Sequence, residues 1–177
     1  YWSVAKVMPS LLVRIFEERG LIDSNNGIEQ YIPELSSSAF AGITVRNILD
    51  MATGLDCQDE DENRQSCYYQ DSMAIGDGFR EEGAPDNPYV FLSTLKAAKH
   101  NDQGQQFSYS GVNTFILGWL IEKITGEPFQ DTFTREVWRY IGAESDASFL
   151  AYRYGIPLTH GGFLSNMRDM ARFGLLF

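Results

Sequence analysis

The feature that most constrains the fold of this sequence is a strongly apolar run at 113–125. Large apolar side chains recur there at helical spacing, and Gly126 follows as a helix stop. The members of this predicted core face are Phe115, Ile116, Trp119, Leu120 and Ile124. The chain has 177 residues, of which 44% are hydrophobic and 21% charged. These values are typical of one globular domain with a sizeable core, and we expect the apolar helix to lie in it.

Helical spacing recurs in several other stretches, separated by turn residues. We expect a helix over 3–19 and a short one capped by Thr44. A further helix begins with Asn87 as cap and ends near His100, another begins at Pro128, and the last is capped by Ser165. One short strand is expected near 149–152. The sequence therefore predicts a predominantly α-helical chain with little strand.

No period survives between residues 55 and 85, a segment rich in acidic and amide side chains. We interpret it as a cleft-side loop pinned by a Cys57–Cys67 disulfide, which would indicate an oxidising compartment. A solvated insertion with two unrelated thiols is the alternative. The cysteine spacing and the lack of a nearby histidine argue against a metal site. His100 is interpreted as an exposed helix-end residue.

The formal net charge of −10 argues against nucleic acid as a partner, because no basic stripe is present to neutralise phosphates. No apolar run approaches the length of a membrane span. The chain opens on Tyr1 without an initiator Met and closes on an apolar helical pattern ending at Phe177. We therefore expect further elements before Ser3 and after Phe177, and we read nothing from the lack of a targeting segment.

Ser3 and Lys6 are the first candidate catalytic residues. Three positions apart, they share one face of the predicted first helix. The free N–H groups and positive dipole end of a first turn favour a nucleophile. A lysine one turn on can accept the serine proton when burial and neighbouring charge disfavour its ammonium form. The alternative is a capped surface helix with a solvated lysine.

Tyr109 and His160 are the other candidates. Tyr109 lies in a loop just before the apolar helix, where a packed tyrosine with a hydrogen-bonded hydroxyl is the alternative. His160 is followed by Gly161 and Gly162, which allow the backbone to come close to a ligand. A polar turn residue is the alternative there.

The order of these motifs resembles that of the serine β-lactamase-like hydrolases, which include class C β-lactamases, D-alanyl-D-alanine carboxypeptidases and related esterases. Within them the chain looks most like the 6-aminohexanoate-dimer hydrolase branch. The matching stretches are 2–6, 44–54, 107–110 with Asn113, 118–126 and 160–174.

The resemblance implies an α+β fold in which a helical domain packs against a five-stranded antiparallel sheet, with the active-site cleft between them. Residues 1–177 would be a single partial domain, the nucleophile helix plus the helical subdomain. Ser3 would be the acylated nucleophile, and its N–H half of the oxyanion hole. Lys6 would accept the serine proton or hold the relay in place. Tyr109 would be the second proton-transfer group, its phenolate favoured by the nearby lysine, and His160 would face the substrate.

The chain departs from the family pattern at three points. The Tyr-x-Asn motif of class C enzymes reads Tyr109-Ser110-Gly111, which argues against β-lactam hydrolysis, and Asn113 is then a structural residue. The hydrolase branch typically has asparagine at the position of His160, so the substrate is open. No Lys/His-x-Gly motif of the second oxyanion strand follows His160.

The resemblance therefore implies a hydrolase that cleaves an amide, ester or peptide bond of a small molecule or peptide. It implies no cofactor, and a periplasmic or secreted location. A molecule ending at these termini would be an inactive or unstable fragment, whereas a longer enzyme would form an acyl-enzyme. The alternatives are a non-catalytic or penicillin-binding sensor relative and an unrelated helical interaction domain. Oligomeric state is not predicted.

Overall fold

The computed structural model describes residues 1–59, 63–85 and 87–177. The α-helices are α1 Val7–Glu18, α2 Val45–Leu49, α3 Cys67–Ile75, α4 Pro88–Thr94, α5 Gly111–Thr125, α6 Phe129–Glu136 and α7 Met167–Gly174. Short 3-10 helices cover Ser3–Lys6, Ile28–Gln30, Pro33–Ser37 and Trp138–Tyr140. Strands β1 Ser148–Phe149 and β2 Phe163–Leu164 pair antiparallel. The predicted dominance of helix over strand is confirmed.

Helix α5 lies at the centre of the molecule. Every residue from 111 to 121 is buried, so the prediction of a single core face was too narrow. Helices α1, α2, α3 and α6 all contact α5. An apolar helix needs cover on all sides, and these neighbours supply it.

An aromatic cluster lies beside α6 and holds the two strands in place. The ring centroids of Phe149 and Phe163 are 4.9 Å apart, and Phe133 packs edge-on against both. Phe173 of α7 contacts Phe133 from another side. The cluster therefore fixes β2 and, with it, the glycine turn that precedes it.

The start of the chain pairs with β2. The Tyr1 nitrogen donates to the Phe163 carbonyl at 2.7 Å, and the Phe163 N–H donates to the Tyr1 carbonyl at 3.2 Å. Gly162 precedes this pairing at φ +80°, and a Cβ there would come within 2.9 Å of the Leu150 side chain. Because of this pairing, Ser3 lies next to the turn at 158–161.

The predicted disulfide between Cys57 and Cys67 is present, but the prediction of an unbroken loop over 55–85 was wrong. Helix α3 lies within that segment, with the Ser66 hydroxyl capping the Tyr69 N–H at 3.1 Å. The helix buries Met73 and two neighbours in the core. Tertiary packing and the disulfide hold a helix that the sequence period does not indicate. The predicted loop residues 60–62 lie outside the described residues.

Two further helix ends differ from the prediction, while the Thr44 and Asn87 caps are confirmed. Helix α4 ends at Thr94 instead of near His100, because the chain beyond it extends to bridge Leu55. Asn166 caps α7 in place of Ser165, since its side chain accepts from the Asp169 N–H.

Candidate active site

Ser3 and Lys6 lie at the two ends of one 3-10 turn. We expected an ordinary helix there, but the tighter winding has three residues per turn and places side chains three apart directly in line. Lys6 Nζ donates to Ser3 Oγ at 3.1 Å. Ser3 is exposed, whereas Lys6 is buried at 8% exposure. The serine hydroxyl is therefore accessible on one side and bonded to a desolvated amine on the other.

The Lys6 amine has two further neighbours. Its Nζ donates to the His160 carbonyl at 2.8 Å. It also lies 4.9 Å from the centre of the Tyr109 ring. Residues from the start, middle and end of the chain thus converge on one buried nitrogen.

Tyr109 meets the lysine through its ring face. Among the described residues, its hydroxyl makes no hydrogen bond to Ser3 or Lys6, and the side chain is 40% exposed. The structure therefore brings Tyr109 to the site without the hydroxyl contact that proton transfer requires. Catalytic hydrogen bonds are often incomplete before substrate binds, and this exposed side chain has room to turn.

His160 contributes its carbonyl to Lys6 and its ring to the wall of the site. The ring packs edge-on against Phe115 with centroids 5.8 Å apart. A Cβ at Gly111 would come within 2.8 Å of the ring, so this approach needs glycine there. Burial, aided by the positive charge of Lys6, lowers the pKa of His160 to about 3. The imidazole is therefore neutral, and its Nδ1 has no hydrogen-bond partner among the described residues.

Ser3, Lys6 and His160 line a cavity of about 40 Å³, large enough for water molecules, whereas Tyr109 is not part of its lining. Its lining includes Trp2, Ser3, Lys6, Asp59, Tyr68, Asp71, Ser72, Ile75, Asp77, Leu158, His160 and Gly161. A groove of about 450 Å³ beside Trp119 and Glu122 is larger, but Ser3 and Lys6 lie at the smaller cavity.

The sequence analysis missed Asp59 and Asp71, two carboxyl groups of this cavity. Asp71 is 2% exposed, and its Oδ1 has no partner within the described parts of the chain. Burial, reinforced by the negative charge of Asp59, raises the pKa of Asp71 to about 8. The acidic composition of 55–85 was the available signal, but nothing in it distinguishes these two from their solvated neighbours.

The described residues do not meet the requirements of a metal site or of a membrane-spanning helix. Across the ranges that the structure describes, no three histidine, cysteine or acidic side chains form a group able to hold a metal ion. In the same ranges, each helix is too short or too polar to cross a bilayer. The side chains that line the cavity include those of Ser3 and Lys6, the Tyr68 phenol and one buried carboxyl group, that of Asp71.

Comparisons with known proteins point to one family. A family model described as β-lactamase matches residues 1–176. Over 173 residues the chain is 30% identical to a 6-aminohexanoate-dimer hydrolase of Paenarthrobacter ureafaciens, covering 97% of this chain and 43% of that protein. The chain therefore spans less than half the length of this relative.

Solved structures give the same picture. A Bacillus anthracis protein with the provisional name 6-aminohexanoate-dimer hydrolase superposes with a TM-score of 0.85 at 27% identity, covering 99% of this chain and 46% of that one. A D-stereospecific amidohydrolase from Streptomyces superposes with a TM-score of 0.70 at 20% identity, and the match covers 98% of this chain and 59% of the amidohydrolase chain. The second likeness shows the fold alone.

Proposed function

Because the chain belongs to the β-lactamase family, we propose that it carries the catalytic residues of a serine hydrolase that cleaves an amide, ester or peptide bond through an acyl-enzyme. The predicted family resemblance is confirmed, including its similarity to 6-aminohexanoate-dimer hydrolases. Within this proposal, residues 1–177 form the nucleophile helix and helical subdomain of a larger hydrolase.

One observation carries the proposal: the 3.1 Å contact between the buried Lys6 amine and the exposed Ser3 hydroxyl. In its neutral form the amine accepts the hydroxyl proton while Ser3 Oγ attacks the substrate carbonyl carbon. The His160 carbonyl orients the amine through its own 2.8 Å hydrogen bond. A small molecule or peptide can reach Ser3 because that side chain is exposed.

The negative charge that develops on the substrate oxygen needs N–H donors. The Ser3 N–H opens the 3-10 turn and has no hydrogen-bond partner among the described residues. The first N–H groups of a helix are free in this way, and they favour an anion. We assign the Ser3 N–H as one donor of the oxyanion hole.

Tyr109 takes the role of second proton carrier. Its ring lies on the Lys6 amine, so a turn of the side chain would bring its hydroxyl to the same proton. In the acylation step, the Ser3 proton passes through Lys6 and Tyr109 to the leaving nitrogen or oxygen. In deacylation, the reverse path removes a proton from the attacking water.

The disulfide supports a periplasmic or secreted location for the complete protein, since such bonds persist in oxidising compartments. A penicillin-binding sensor of the same fold would keep Ser3 and Lys6 and become acylated. It would differ in the second step, because its acyl-enzyme would persist.

The test is covalent labelling of the complete protein with a fluorophosphonate, followed by peptide mapping. We expect the label on Ser3, and we expect Ser3→Ala to abolish labelling and reduce hydrolysis of p-nitrophenyl butyrate by more than about 10⁴-fold. Ser10→Ala is the matched control, since Ser10 lies on α1, which directly follows the 3-10 turn, and donates to the Lys6 carbonyl.

Labelling that survives in Ser3→Ala would overturn the assignment. Normal labelling of Ser3 with no turnover of ester or amide substrates would instead identify the sensor. The first outcome is read from Ser3→Ala, and the second from labelling and turnover of the unsubstituted protein.

A further inference from the structure

The segment 57–59 lies beside the segment 109–111 and makes a hydrogen bond with each of Tyr109, Ser110 and Gly111. The Asp59 N–H donates to the Tyr109 carbonyl at 3.1 Å, and the Gly111 N–H donates to Asp59 Oδ1 at 2.7 Å. The Ser110 hydroxyl between them donates to the Cys57 carbonyl. The backbone from the Tyr109 carbonyl to the Gly111 N–H is therefore held by one aspartate.

Asp59 also replaces the missing cap of α5. Ser110 occupies the cap position but makes no capping hydrogen bond, because its hydroxyl is bonded to Cys57. The carboxylate of Asp59 accepts the Gly111 N–H in its place and lies at the positive end of a 15-residue helix. A carboxylate from a distant segment thus fixes where α5 begins, and Tyr109 lies two residues before that start.

The segment that carries Asp59 is itself anchored. The Cys57–Cys67 disulfide ties it to the first residue of α3. Helix α3 contributes Asp71 to the cavity wall, and the charge of Asp59 acts on that carboxyl group. Asp59 therefore connects the disulfide-bonded segment and the cavity wall to the backbone at Tyr109.

We propose that Asp59 is a positioning residue that holds the Tyr109 phenol against the Lys6 amine. The inference rests on the proposed role of Tyr109 as a proton carrier. Asp59 acts through two backbone groups of the tyrosine segment. Removing its carboxylate frees the Gly111 N–H and lets the segment shift, and a displacement of about 1 Å at a reacting group costs about 10²-fold in rate.

The test uses p-nitrophenyl butyrate hydrolysis by the complete protein. We expect Asp59→Ala to lower kcat by about 10- to 10²-fold with KM little changed. Asp59→Asn keeps an acceptor oxygen for the Gly111 N–H, so we expect it to restore most of kcat. Glu29→Ala is the matched control, because the Glu29 carboxylate also accepts a distant backbone N–H, that of Gly42 at 3.0 Å, far from the cavity. We expect that control to leave kcat unchanged.

A double-mutant cycle separates positioning from general stabilisation. In a Tyr109→Phe background the hydroxyl that Asp59 positions is gone, so we expect Asp59→Ala to cause no further loss of kcat. If Asp59 served only as a structural cap of α5, Asp59→Ala would reduce kcat by the same factor in the parent and in Tyr109→Phe. If Asp59→Ala does not fold, Asp59→Glu, which moves the carboxylate by one methylene, replaces it in the cycle.

The outcomes distinguish the two proposals. If Tyr109→Phe keeps its kcat, the proposed proton carrier is wrong and the inference about Asp59 is overturned with it. If Tyr109→Phe loses kcat but Asp59→Ala and Asp59→Glu keep it, or lose it equally in both backgrounds, the inference alone is overturned.

Discussion

Two aspartates of this molecule are both shielded from solvent and yet favour opposite protonation states. Asp71 at the cavity is 2% exposed, and Asp169 on α7 is 0% exposed. The pKa of Asp71 rises to about 8. Burial alone would also raise the pKa of Asp169, but hydrogen bonds outweigh it and hold that pKa below its usual value.

The difference lies in the donors that surround each carboxyl group. Asp169 accepts from the N–H groups of Glu144 and Ser145 at 2.8 and 3.1 Å. Asn166 Nδ2 and Arg172 Nη1 add bonds of 2.6 and 2.7 Å. For Asp71, Oδ1 has no partner among the described residues. The number of hydrogen-bond donors around each carboxyl group, and not its burial, decides which aspartate is charged.

The comparison separates a structural cluster from the cluster at the proposed active site. Asp169 joins α7 to the loop at 144–145 with its charge fully compensated. At the cavity beside Ser3, polar atoms of Asp71 and His160 instead have no hydrogen-bond partner within the described ranges, an arrangement that is costly in a fold and is concentrated at functional sites. The three predictions that follow test this contrast, beginning with the largest expected effect.

Asp169→Ala should be the most damaging of these substitutions to folding. It removes the acceptor of the Asn166 amide, of one Arg172 N–H and of two backbone N–H groups at once, so we expect the Tm to fall by on the order of 10 °C. Thermal unfolding measures it, with the exposed Asp146→Asn as control. A fall in Tm no larger than that of the Asp146→Asn control would contradict a structural role for Asp169.

Asp71→Asn should change the pH dependence of stability. The folded protein keeps the Asp71 proton up to about pH 8, whereas the unfolded chain releases it at about pH 4. Unfolding free energy of the parent should therefore fall as pH rises through this window and level off above it. The amide cannot titrate, so we expect the variant to gain stability over the parent between these limits. Urea unfolding at several pH values measures it, and parallel curves would contradict the prediction.

His160→Gln should have the smallest effect, on the acid side. The folded pKa of about 3 lies below the usual value of 6.5, so the unfolded chain binds a proton first as pH falls. The parent should lose stability as pH falls from about 6.5 to about 3, and the variant should lose less. The exposed His100→Gln is the matched control. An equal acid-side loss in the parent and in His160→Gln would show that this imidazole is solvated.

The apolar helix α5 and the caps at Thr44 and Asn87 were predictable because each depends on local spacing or on one side chain. Helix α3 was not predicted, since a disulfide and tertiary packing hold it. The 3-10 turn at Ser3 was missed because periods of 3.0 and 3.6 cannot be told apart over four residues. Asp59 and Asp71 could not be distinguished from their acidic neighbours, because the hydrogen bonds of Asp59 and the burial of Asp71 depend on tertiary contacts and not on sequence spacing.

The pairing of Tyr1 with Phe163 also sets when the site can come into being. A contact across 162 positions costs loop-closure entropy that local contacts do not, so it forms late in folding. During synthesis Lys6 leaves the ribosome 154 residues before His160, whose carbonyl accepts its hydrogen bond. Until residue 160 has emerged, this hydrogen bond cannot form, so the proposed serine–lysine pair is incomplete in the nascent polypeptide.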